Sequence, residues 1–226
     1  MNKLALLGRH RYSANPKTPR IRCKPGQGLR PVSPLPGARY ASGACRLRLS
    51  HQRVFVPRIG LLSDSHGRAS TSQQAVDVLL EKGATCLIHL GDIGTVEVID
   101  ALITPAPDSE EPVESHLVFG NTDWDMADLA RYAEDMGIQV DHPLGRISLP
   151  DGGVLAYCHG HEEEPMEAAL RDGVRYLCHG HTHRASDTQK GATRVLNPGA
   201  LFRANQYTCA ILDTDADSFD LINVAP

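Results

Sequence analysis

The sequence lacks any run approaching the ~18 consecutive apolar residues that a membrane-spanning helix requires. It is therefore expected to be a soluble chain that does not contact a membrane. None of its six cysteines (Cys23, Cys45, Cys86, Cys158, Cys178 and Cys209) forms a Cys-x-x-Cys pair. So few cysteines in 226 residues argue against a disulfide framework. Cys86, Cys158, Cys178 and Cys209 lie in short apolar runs and read as buried free thiols in a reducing compartment. There is no internal repeat. No secretory signal is expected either, because the apolar stretch of MNKLALLG is cut short by Arg9, His10 and Arg11.

Acidic residues are missing altogether from the first 58 positions. That segment holds thirteen of the 23 basic residues and none of the 27 acidic ones, so it carries +13 against −17 for the rest. Residues 1–53 show no strand or helix period and are rich in Arg, Pro, Gly and Ser. Such a composition does not bury enough apolar surface to offset its ordering entropy. Residues 1–55 are thus expected to be a basic extension without stable structure. Three origins fit it: translation from a start assigned too far upstream, an organellar transit peptide, or a nucleic-acid-binding arm. The expected location is cytoplasmic, or organellar if the segment is a transit peptide.

From residue 54 short apolar runs alternate with longer mixed segments. Strands are expected at 56–62, 86–90, 116–119, 146–149, 154–158, 174–178, 193–196, 207–212 and 217–223. Helices are expected at 70–82 behind a Ser or Thr cap, at 96–103, at 124–136 and at 164–172. Residues 104–115 (TPAPDSEEPVES) read as an exposed acidic loop. The pattern predicts one α/β domain over residues 56–226, with βα units first and antiparallel strands later. Alternation alone suggests a single open sheet.

Five of the apolar runs end in a glycine beside Asp, Asn or His: SDSHG at 63–67, GD at 91–92, GN at 120–121, HGH at 159–161 and HGHTH at 179–183. In α/β sheets, sites assemble at the carboxyl ends of strands. Asp64, His66, Asp92, Asn121, His159, His181 and His183 should therefore converge. The set has two carboxylates, one amide and four imidazoles, with no thiolate. It suits manganese first, with iron, zinc, cobalt or nickel also compatible. Seven ligands exceed what one ion takes but fit two ions about 3.5–4 Å apart that share a carboxylate and a water.

Together SDSHG, HLGD, GNTD, HGH, GHTH and NPG resemble the calcineurin-like metallophosphoesterase superfamily, and within it the YfcE-type phosphodiesterases. The resemblance covers nearly everything after the basic segment. It implies an αββα sandwich of two mixed sheets flanked by helices. It also implies that Asp64, His66, Asp92 and His183 hold one divalent ion, that Asp92 bridges, and that Asn121, His159 and His181 complete the second. The implied activity is hydrolysis of a small phosphate ester, with Asp92 and Asn121 in the catalytic centre. Asn121 and Arg203 are candidates for substrate contact. Many superfamily members have a His after the G-N pair that assists the leaving group, but Thr122 stands there. His161 is a candidate stand-in acid or a supporting residue. Ala200 replaces a Ser or Thr after NPG. His89 and His179 read as structural, and Trp124 as core or pocket rim. A binding scaffold on the same fold, as in the retromer subunit, is the alternative to an enzyme. The acidic domain argues against broad nucleic-acid affinity unless the basic segment contributes it.

Overall fold

The computed structural model describes residues 58–105 and 110–225. The basic extension predicted at 1–55, with Cys23 and Cys45, lies outside the described residues, as does part of the acidic loop.

Eleven strands and four helices follow in order: β1 (Arg58–Leu62), α1 (Ala69–Glu81), β2 (Cys86–His89), α2 (Val96–Ala101), β3 (Glu114–Leu117), α3 (Met126–Asp135), β4 (Gln139–Val140), β5 (Gly145–Ser148), β6 (Val154–Tyr157), α4 (Glu163–Arg171), β7 (Tyr176–Cys178), β8 (Ser186–Lys190), β9 (Thr193–Asn197), β10 (Tyr207–Asp213) and β11 (Ser218–Val224). They make two mixed sheets. The first has order β11-β10-β1-β2-β3-β4 and the second β5-β6-β7-β9-β8. In the first, β1 to β4 run parallel and β10 and β11 are antiparallel. In the second, β6, β7 and β9 are parallel, flanked by antiparallel β5 and β8.

Strand periodicity shows why two sheets replace the single one that alternation suggested. Alternate residues of each central strand point to opposite faces. Ile59, Leu61, Ile88, Ala210 and Leu212 of the first sheet pack against Leu155, Tyr157, Tyr176, Cys178 and Leu196 of the second. The intervening residues face helices. Leu62, Leu87, Cys209 and Ile211 meet Ala75, Val76 and Leu79 of α1, Val98 and Ile99 of α2, and Leu129 and Ala133 of α3. Ala156, Leu177 and Val195 meet Ala169 of α4. Central strands covered on both faces read as continuous apolar runs, and such runs do not reveal that two sheets are stacked. The four-layer αββα arrangement is the one the family resemblance implied.

The element boundaries differ from expectation by a few residues. Two strands were not anticipated. β4 has only two residues, and β8 (SDTQK) is an exposed edge strand with no apolar alternation. The predicted Ser or Thr cap of α1 is also corrected: its N-cap is Arg68, with no side-chain cap bond. Instead, the Ser72 hydroxyl donates to the Arg68 carbonyl at 2.9 Å. Cys86, Cys158, Cys178 and Cys209 are buried free thiols, as read. Burial pushes the thiols of Cys86, Cys158 and Cys209 up to about 12. Among the described residues, no helix is long and apolar enough to cross a membrane.

Candidate metal centre

The polar strand ends converge where the two sheets meet. The chain leaves β1 through Ser63-Asp64-Ser65-His66, held to the end of β2 by hydrogen bonds from the Asp64 amide to the Gly91 carbonyl (3.0 Å) and from the His66 amide to the Asp92 carbonyl (2.9 Å). Two glycines permit the close approach. A Cβ on Gly120 would strike Asp92 Oδ1, and one on Gly180 would strike Ser63 Oγ and crowd Asp64 Oδ2 at 2.8 Å. Asp64, His66, Asp92, His181 and His183 all adopt left-handed backbone conformations, with φ between 44° and 63°. Non-glycine residues seldom do so, and such strain gathers at functional sites.

Asp64, His66, Asp92 and His183 each offer one ligand atom, all within 4.8 Å of one another, and so could hold a metal ion. His66 Nε2 lies 3.5 Å from His183 Nε2 and 3.5 Å from Asp92 Oδ2. His183 Nε2 lies 3.2 Å from Asp64 Oδ1. That Asp64 oxygen is buried and accepts no hydrogen bond among the described residues. A buried carboxylate oxygen left in this way is costly without a cation, so the donor set fits a divalent metal. Burial raises the Asp64 carboxyl to about 6, against the pull of Ser63, His183 and the His181 amide.

Asp92 faces two ways. Its Oδ1 accepts the Thr122 amide at 2.9 Å and lies 3.6 Å from His159 Nε2. Burial opposes its ionisation. The Thr122 bonds and the imidazoles of His159 and His66 outweigh burial and hold the carboxyl below its ordinary range. His159 Nε2 also lies 3.2 Å from Asn121 Oδ1. Its Nδ1 is 2.7 Å from the Leu90 carbonyl, to which it donates. That bond fixes the tautomer and turns the Nε2 lone pair towards Asn121 and Asp92. Burial lowers His159 to about 4, so the ring is neutral at pH 7. The His181 ring stands edge-on to His159, with centroids 5.1 Å apart. The seven expected ligands are thus brought into one cluster in two halves that share Asp92.

The remaining candidates sit around this cluster. The His161 ring is 5.3 Å from that of His159 and 6.1 Å from that of His181, at the rim beside Glu162. Arg203, also left-handed, places its guanidinium 5.2 Å from the Phe202 ring, and Phe202 stands 5.7 Å from His66. Burial, His183 and the Arg203 charge all lower the basicity of His66, against the pull of Asp92. Trp124 is 86% exposed, which excludes the core placement considered for it. His89 is fully buried, with Nε2 2.7 Å from Ser65 Oγ and Nδ1 accepting the Gly91 amide. Burial takes it down to about 3. It is a neutral brace beneath the ligand loops.

Two supporting residues, Asp123 and Asn197, escaped sequence reasoning, and Thr122 makes contacts that it did not foresee. Asp123 accepts the amides of Gly94 and Gly120, each at 2.8 Å, and so ties the Asp92 loop to the Asn121 loop. Asn197, in the NPG motif, donates to the Gly180 carbonyl at 2.8 Å and to Thr182 Oγ1 at 3.1 Å, and accepts the Gly199 amide. It holds the His181–His183 loop. Thr122 donates its amide to Asp92 Oδ1, and its hydroxyl oxygen lies 3.4 Å from His66 Nδ1. Asp123 and Asn197 sit inside GNTD and NPG, so the motifs marked them without disclosing their partners.

Comparison with known proteins agrees with this fold. The family model for the calcineurin-like phosphoesterase superfamily domain matches residues 58–217. Phosphodiesterase MJ0936 of Methanocaldococcus jannaschii is 23% identical over 169 residues, covering 72% of this chain and 96% of that protein. Among solved structures, one described as a novel archaeal phosphodiesterase superposes with a TM-score of 0.64 at 23% identity, covering 74% of this chain and 99% of its own. The Escherichia coli phosphoesterase Yfce superposes at 0.55 with 20% identity, covering 74% and 100%. The chain belongs to the calcineurin-like phosphoesterase superfamily, a family of phosphoric ester hydrolases.

Proposed function

We propose that residues 56–226 form a two-metal phosphodiesterase domain acting on a small phosphate ester. The observation that carries this reading is Asp92, whose two oxygens face two separate imidazole groups. Asp64, His66, Asp92 and His183 would hold one ion, and Asp92, Asn121, His159 and His181 the other. Manganese is the first choice, with iron, zinc, cobalt or nickel also suited to the O/N donor set. When bound, such a pair lowers the pKa of water towards neutrality and offsets charge on a phosphoryl group.

The chain's own residues do the rest. The Leu90 carbonyl and Thr122 amide hold His159 and Asp92 in the protonation states that donate lone pairs. Asn121, beside His159, would touch phosphate as well as metal, and Arg203 would meet a substrate oxygen. Thr122 offers no proton of suitable acidity to a departing alkoxide. Activated aryl esters should therefore react best, with His161 the remaining candidate acid at the rim.

In the presence of added manganese the protein should hydrolyse bis-(p-nitrophenyl) phosphate, and Asp92→Asn should nearly abolish turnover. Full activity in that variant would sink the assignment. So would a wild-type protein inactive with every divalent metal, an outcome that would favour the non-catalytic scaffold.

A further inference from the structure

Nine arginines lie among the described residues. Six of them, Arg58, Arg131, Arg146, Arg171, Arg175 and Arg194, pair with a carboxylate within the domain. Arg68, Arg184 and Arg203 have no such pair among the described residues. All three are exposed, and each lies within two residues of a candidate ligand or of Phe202. Arg68 follows His66 by two residues and Arg184 follows His183 directly. Arg203 adjoins Phe202, whose ring faces His66.

Two of these side chains are held in place. The Arg68 guanidinium lies 4.3 Å from the centroid of the Phe202 ring, and that of Arg203 lies 5.2 Å from it. A guanidinium near an aromatic ring is attracted by the negative face of the ring. Contact through the ring leaves the N–H fork free for an anion. The Leu201 amide bonds the Ser63 carbonyl at 3.1 Å, which fixes this shelf to the loop bearing Asp64 and His66. Each guanidinium is therefore one aromatic ring away from His66. The charge also runs against its surroundings, because the sequence after residue 58 is strongly acidic. Unpaired cations kept at the mouth of a site in an acidic domain concentrate anions there.

We propose that Arg68 and Arg203 on Phe202 form a subsite for a second phosphate on the substrate. The preferred substrates are thus phosphate esters that carry another phosphate near the scissile one. Planar guanidinium forks match phosphate oxygens pairwise, and the third oxygen and greater charge of a phosphate let it meet both forks at once, which a lone carboxylate does less well. This inference rests on the phosphoesterase reading for the place of the first phosphate, but its test does not depend on turnover.

Calorimetry on the full chain, with and without manganese and at physiological salt, would compare thymidine 5′-monophosphate, thymidine 3′,5′-bisphosphate and thymidine 5′-diphosphate. One of the two doubly phosphorylated ligands should bind at least about tenfold more tightly than the monophosphate, as one or two charge-assisted hydrogen bonds would give. A preference for the bisphosphate places the second phosphate across a sugar. A preference for the diphosphate places it next to the first. Arg68→Gln and Arg203→Gln should each bring the ratio towards one, and Arg68→Lys should restore only part of it. Equal affinities for all three ligands in the wild type would overturn the proposal, as would a preference that survives both glutamine variants. Parallel assays with bis-(p-nitrophenyl) phosphate separate the two claims: an intact preference without turnover sinks the enzyme reading and leaves the subsite standing.

Discussion

At the scale of single residues, the centre depends on atoms that do not touch the chemistry. Asp123 is the clearest case. Its two oxygens take the amides of Gly94 and Gly120, one from each ligand loop. Removing it leaves the buried Gly120 amide without a partner, at a cost of about 1–3 kcal/mol, while the amide of exposed Gly94 turns to solvent. Asp123→Ala should therefore lower the urea midpoint, and it should weaken manganese binding in a metal titration. Asp123→Asn keeps one acceptor and should lose less on both counts. The candidate ligands themselves were legible in the sequence because the chemistry demands Asp, Asn and His in short fixed spacings after strands. The roles of Asp123 and Asn197 were not. Their partners are backbone amides and carbonyls of distant loops, and every sequence offers those everywhere.

At the scale of elements, legibility followed the apolar pattern. Strands β1, β2, β6, β7, β9 and β10 are buried on both sides and were found as apolar runs. β8 is an edge strand held by its hydrogen bonds to β9, and its residues, SDTQK, carry no periodic signal. Residue pattern also failed to separate one sheet from two, since a strand under a helix and a strand under a second sheet bury the same side chains. The helices fill the outer layers. Leu79 of α1 is fully buried against the first sheet. Leu79→Ala should cost about 2–5 kcal/mol in chemical denaturation. A substitution at exposed Gln189 of β8 should stay within about 0.5 kcal/mol.

At the scale of the whole domain, the two sheets are also joined by polar bonds away from the metal centre. Asp217, in the turn between β10 and β11, accepts the Tyr176 hydroxyl at 2.7 Å and Arg194 Nη1 at 2.8 Å, both from the second sheet. Arg194 also pairs twice with Asp187 of β8. The Tyr176 bond, then Arg194 and nearby Arg175, hold the Asp217 carboxyl below its ordinary range, against partial burial. The Arg194 bonds do the same for Asp187, against partial burial and the Asp217 charge. A carboxyl more acidic in the folded state than in the unfolded one stabilises fully above its unfolded value near 4. That contribution fades as pH falls through the folded value. The melting temperature of metal-free protein should thus drop below about pH 4. Asp217→Asn should show a lower melting temperature at neutral pH and a shallower acid-side fall.

The order of strands in the first sheet sets a schedule for the growing chain. β1 emerges among the earliest described residues, yet its neighbour on one side is β10, paired at Arg58↔Asp213 through Leu61↔Ala210. Every candidate ligand, through His183, is synthesised before that partner exists. During translation the nascent chain therefore exposes one side of β1, an apolar strand with unpaired amides and carbonyls, until nearly the last described residues arrive. An unpaired strand edge invites pairing with other chains. Ribosome-bound intermediates ending before β10 would therefore need a chaperone most, although they already carry every residue proposed to bind metal.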